Sequence, residues 1–159
     1  MPEPARSPQA SGPGIPIINP ATGLSTDYLN HFTEALMALE MATEIPGCLD
    51  DLKAWRPKTY RQHFAASNFK NRDAVIDLYK SSDRTLRYQV DGLADAINGR
   101  LIAARAAATS GGDLGALGQR ATATIRPLIA DLAALINGTA DQPVDRLGSQ
   151  AAIDAMFHG

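Results

Sequence analysis

Apolar positions along the chain fall into a few runs of helical spacing, separated by Pro, Gly and small polar residues. The first run is Leu29, Phe32, Leu36 and Leu39, widened by Ala35 and Ala42. An apolar residue every three or four positions lands on one side of an α-helix. Ser25 or Thr26 can cap its free amides, Asp27 is favourable in its first turn, and Pro46-Gly47 stops it. A shorter amphipathic segment, Leu49 to Trp55, ends before Pro57. Tyr60, Phe64 and Phe69 punctuate one or two further helical turns, and Val75, Ile76 and Tyr79 predict a short helix over 73–79. These aromatics are expected in the core, packing short helices onto longer neighbours.

The second half carries longer stripes. Ser82 or Asp83 caps a helix running to about Thr109, with Leu86, Val90, Leu93, Ile97, Leu101 and Ala104 on its apolar side. Gly92 and Gly99 weaken it by about 1 kcal/mol each relative to Ala, or mark the close approach of another helix. Gly111-Gly112 makes a turn. A returning helix carries Leu117, Ala121, Ile125, Leu128, Leu132 and Leu135 or Ile136, and Pro127 should kink or split it. An antiparallel helical hairpin over 82–138, ended by Gly138, is the expected result. No segment alternates convincingly with the period of a strand.

The predicted fold class is therefore all-α. A Pro-, Ser- and Gly-rich segment over 1–18 is expected to be disordered, because it buries too little to offset its ordering entropy. A short-helix region spans 19–81 and the hairpin 82–138. The stretch 139–148 reads as a flexible linker, and 149–159 as a C-terminal docking helix.

Charge changes this picture by exclusion. The fifteen Lys and Arg residues are scattered over a chain of net charge −2, so no concentrated basic patch is expected to grip nucleic acid. No apolar run approaches the roughly 20 residues of a membrane span, and the first residues lack the apolar core of a secretory signal. Cys48 is the single cysteine, which rules out an internal disulfide. The expectation is a cytoplasmic protein that binds neither nucleic acid nor membrane.

Candidate chemistry concentrates at the C-terminus. In Ser149-Gln150-Ala151-Ala152-Ile153-Asp154-Ala155-Met156-Phe157-His158-Gly159, Ser149 can cap a helix whose Ile153, Met156 and Phe157 share one face. So short a helix is marginal alone and forms chiefly in a partner's groove. The stretch LGSQAAIDAMFHG resembles the response-regulator-binding peptide of the flagellar switch protein FliM, whose pattern is approximately L-S-Q-x-E-I-D-A-L-L-x-G. Ser149, Gln150, Ile153, Asp154, Ala155, the apolar pair Met156-Phe157 and Gly159 carry the resemblance. It implies a CheY-like receiver domain as partner, in chemotaxis, motility or related two-component signalling of a bacterium. Ile153, Met156 and Phe157 would be apolar anchors, with Gln150 and Asp154 in polar contacts. Ala152 stands where that family has Glu, removing half of a capping box. The peptide also lies at the opposite end of the chain from that in FliM, as it does in the CheY phosphatase CheZ. The plain structural alternative is a helical scaffold or oligomerising protein whose last helix covers its own body, with a homodimer formed through the hairpin.

The hairpin, linker and terminal peptide are also similar in layout to CheZ, which implies a possible aspartyl-phosphate phosphatase. The signature of that family, an acid four residues before a Gln, is absent. The Glu-x-x-Asn pattern of the CheC and CheX phosphatases has its nearest counterparts in Asp27-x-x-Asn30 and Asp95-x-x-Asn98. Asp27, Asn30, His31 and Glu34 are expected on one polar face, which makes Asp27 and Asn30 the candidate catalytic pair. The simpler reading of that face is a solvated helix surface. His31 and Glu34, with Cys48 or His63, form no persuasive metal-binding pattern. No cofactor is expected, with Mg entering only through a phosphorylated receiver. Cys48 is read as a helix-start residue rather than a nucleophile.

Overall fold

The computed structural model describes residues 16–139. The expected docking helix, the linker beyond Thr139 and the first fifteen residues lie outside the described residues. Among the described residues every regular element is helical: a 3₁₀ turn Thr26–Tyr28, then α1 (Leu29–Met41), α2 (Gly47–Ala54), α3 (Tyr60–Ala65), α4 (Arg72–Ser81), α5 (Arg84–Thr109), α6 (Leu114–Thr124) and α7 (Arg126–Asn137).

Local chemistry sets these boundaries. Ser25 caps the 3₁₀ turn by accepting from the Asp27 N–H, and Asp83 caps α5 at the Leu86 N–H. Thr59 and Gln62 form a reciprocal capping box at α3, satisfying two otherwise orphaned amides. Cys48 occupies the second position of α2. Pro127 splits the returning helix, as its missing N–H requires: α6 ends at Thr124 and α7 opens with Pro127 in its first turn. Gly138 ends α7 with φ of 73°, a left-handed conformation favourable to glycine.

One core joins both halves of the sequence. Tyr28, Phe32, Leu36 and Leu39 from the N-terminal half meet Val90, Leu93, Ile97 and Leu101 of α5, and Leu128, Leu132 and Ile136 of α7. The returning chain does not simply lie along α5. α6 packs most extensively on α1, whereas α7 packs on both α5 and α1. Gly118 permits that approach: a Cβ there would stand 3.3 Å from the Leu39 carbonyl oxygen and 3.4 Å from the Glu40 Cα. Gly92 and Gly99 have nothing within 4 Å of a built Cβ, so close helix approach belongs to Gly118 and not to them. Glu40 adds a polar clasp, pairing with Arg126 at 2.7 Å and accepting from Thr122.

The lead-in before α1 is a compact turn that closes the bundle. Asn19 Oδ1 accepts from the N–H groups of Ala21 and Thr22, at 2.8 and 3.1 Å. Thr22 Oγ1 donates to the Ile136 carbonyl at 2.5 Å, and Asn19 Nδ2 donates to that of Asn137 at 3.3 Å. Two carbonyls that the end of α7 leaves without helical partners are thereby satisfied.

Candidate functional site

Asp27 and Asn30 are brought together at the junction of the 3₁₀ turn and α1. Asn30 Nδ2 donates to Asp27 Oδ1 at 3.2 Å, and the other carboxylate oxygen meets His63 Nε2 of α3 at 3.0 Å. The cluster is thus a carboxylate holding an amide and an imidazole. An oriented imidazole can move a proton. Among the described residues, however, no hydroxyl or thiol is bonded to His63, so no nucleophile completes the set. Asn30 is exposed, but its amide is already given to Asp27.

His31 corrects the expectation of a single polar face. It is 3% exposed and turned into the core. Its ring stacks on Trp55 with centroids 4.9 Å apart, and Trp55 Nε1 donates to the His31 carbonyl at 2.9 Å. The Lys58 N–H donates to His31 Nε2 at 2.9 Å, and the carbonyl oxygen of the Asn98 side chain, Oδ1, lies 3.1 Å from the same nitrogen. The Lys58 carbonyl accepts from Tyr28 Oη at 2.7 Å and from Asn98 Nδ2 at 3.2 Å. Tyr28, His31 and Asn98 therefore clamp the irregular stretch between α2 and α3 by its backbone. Burial pushes the His31 imidazole down to about 4, leaving it neutral and able to accept. Of the Asp95-x-x-Asn98 pair, Asn98 gives its amide N–H to this clamp, and both side chains border an adjoining cleft. The His31 and His63 rings lie 6.2 Å apart between centroids, while Glu34 and Cys48 line a groove between α1 and α2. Among the described residues no group of three or more His, Cys, Asp or Glu side chains is placed to hold a metal ion.

The cleft itself has about 720 Å³ and opens between α3, α4 and α5. Tyr60 and Tyr79 stack at its base with centroids 4.7 Å apart and an interplanar angle of 16°. Tyr79 Oη donates to the Asp91 carboxylate, at 2.5 and 2.7 Å from its two oxygens. Burial pushes the Tyr60 phenol up to about 12. Burial and then Asp91 raise that of Tyr79, so both rings stay protonated at neutral pH. Arg61 and Lys80 bring positive charge to the walls and Asp95 negative charge, while Tyr88 stands 80% exposed at the rim. The arrangement offers recognition, with neutral donors and charges of both signs, and no activated nucleophile. Tyr60 and Tyr79 are buried in the core, as their spacing predicts, but that spacing carries no sign of the cleft above them. The spacing of Tyr88, Asp91, Gly92 and Asp95 along one side of α5 was the available signal.

The six expected partner-binding residues, Ser149, Gln150, Ile153, Asp154, Met156 and Phe157, lie outside the described residues. Among the described residues no helix is long and apolar enough to cross a membrane. The chain matches no protein-family model, no curated protein and no solved structure.

Proposed function

We propose that this chain is a bacterial cytoplasmic binding protein that docks a CheY-like receiver domain through residues 149–159, in chemotaxis, motility or related two-component signalling. The observation that carries the reading is the run Ser149-Gln150 followed by Ile153-Asp154-Ala155 and the apolar pair Met156-Phe157. Three apolar anchors at i, i+3 and i+4 give a groove-binding face, and Asp154 lies on its flank for a basic group on the receiver. The helical body supports a binding role more than a catalytic one. Asn30 and Asp27 are bonded to each other, and among the described residues no hydroxyl or thiol is bonded to His63.

Fluorescence anisotropy of a labelled 146–159 peptide, titrated with CheY-like receivers with and without a phosphoryl mimic, tests the proposal. Saturable binding strengthened by the mimic is the expected result. Ile153→Ala with Phe157→Ala should weaken binding at least 100-fold, on the order of 3 kcal/mol for two truncated anchors. Unaltered binding by that double variant would refute the assignment. Receiver dephosphorylation should proceed equally with wild type and Asn30→Ala, and a loss of rate in the variant would restore a catalytic role to the Asp27 cluster.

A further inference from the structure

On the exposed side of α1, the apolar pattern continues past what the described residues cover. Met37 is 47% exposed, Met41 38% and Ile45 45%, and the two methionines lie one turn apart on one helix face. Beside them runs a groove of about 780 Å³ between α1 and α2. Ala38 and Trp55 form buried parts of its lining, Met37 and Met41 one wall, and Arg56 and Lys58 the end nearest the start of α1. Glu34 and Asp51 also line it, so its rim carries both signs. Methionines suit such a surface, because their unbranched side chains repack around a partner at little cost.

We propose that this groove is the resting seat of residues 149–159 of the same chain, and that a receiver domain must compete with it for the peptide. The inference rests on the reading of that peptide as a docking helix. Its occupant is chosen by where the body ends. Gly138, capping α7, packs on Thr22 just before the 3₁₀ turn that leads into α1, since a Cβ at Gly138 would meet Thr22 Cγ2 at 3.5 Å. The chain therefore leaves the body near the start of α1. From there the groove extends along α1, a helix of 13 residues and so about 20 Å long. The nine residues 140–148 can span about 30 Å when extended, which reaches any part of it. The sequence spacing of Ile153, Met156 and Phe157 contains the same i, i+4 step as Met37 and Met41. Asp154 then finds Arg56 and Lys58 at the groove's end. A tether this short raises the local concentration of the peptide to about the millimolar range, so even a weak contact is populated.

The test uses the full chain. Four methionines, Met1, Met37, Met41 and Met156, give four methyl signals when labelled with ¹³C. In the wild type against Ile153→Ala with Phe157→Ala, the Met37 and Met41 signals should shift, independently of protein concentration, and Met1 should not. Unchanged Met37 and Met41 signals overturn the proposal, whether or not any receiver binds. Shifts that grow with protein concentration also overturn it, in favour of a second copy as occupant. A second arm measures receiver affinity. The full chain should bind roughly tenfold more weakly than the free 146–159 peptide, and Met37→Lys with Met41→Lys should close most of that gap. Equal affinities of chain and peptide count against the resting seat. If neither chain nor peptide binds a receiver while the methyl signals respond, the receiver reading fails and the seat stands.

Discussion

The buried imidazole of His31 shows how a single side chain can set the pH response of the protein. Folded, it titrates at about 4, against an ordinary value of 6.5. Between those values the unfolded chain binds a proton that the folded one does not. Stability is therefore fully present above about pH 6.5 and falls as the pH drops toward 4. The gap corresponds to roughly 3 kcal/mol. Urea midpoints at pH 7 and pH 4.5 should fall less steeply for His31→Gln than for wild type, and parallel slopes would remove His31 as the source. The groups facing this ring are the Lys58 backbone, Asn98, Tyr28, Phe32, Trp55 and, at 6.2 Å between centroids, His63. This role was hidden in the sequence because His31 stands among Asp27, Asn30 and Glu34 at a spacing that reads as a solvated side. The aromatics that bury it come from Tyr28 and Phe32 nearby and from Trp55 across the α1–α2 turn. Residue spacing within one helix carries no information about that third ring.

At the level of the helix, glycine position separates two effects that composition merges. Gly92 and Gly99 are exposed within α5 with open space at Cβ, so alanine at either should stabilise the protein by about 0.5–1 kcal/mol. Gly118→Ala gains the same propensity but presses on the α1 backbone at Leu39 and Glu40, and should lose about 1–3 kcal/mol net. Thermal unfolding of the three variants checks the contrast, and stabilisation by Gly118→Ala would contradict the packing of α6 on α1. The start of α1, the stripe of α5, the break at Pro127 and the stop at Gly138 were all legible, because caps, periodicity and proline act locally. Which helix covers which stripe was not. The apolar side of the returning chain is equally suited to α5 and to α1, and the break at Ile125 frees α6 to turn to α1. The cleft escaped for a related reason: Tyr60 and Tyr79 read as core rings, and only the packing of α4 beside α5 gives Tyr79 its polar partner Asp91.

For the molecule as a whole, the shared core makes the short-helix region and the long helices interdependent. Leu36 of α1 and Leu132 of α7 are both fully buried in that core. Truncating either to Ala should cost about 2–5 kcal/mol. Each variant should show one unfolding transition, with Trp55 fluorescence and far-ultraviolet circular dichroism coincident, since Trp55 reports the first half and the long helices dominate the second signal. Separate midpoints for the two probes would mean that residues 19–81 and 82–138 fold independently. The turn at Asn19–Thr22 that closes the end of α7 carries one more consequence. It sets the entry and the exit of the helical body side by side, so the connectivity of the chain is not essential to its shape. A permuted protein in which a few residues join 139 back to 17, with new termini opened at the exposed Gly111-Gly112 turn, should assemble the same seven helices in a different order.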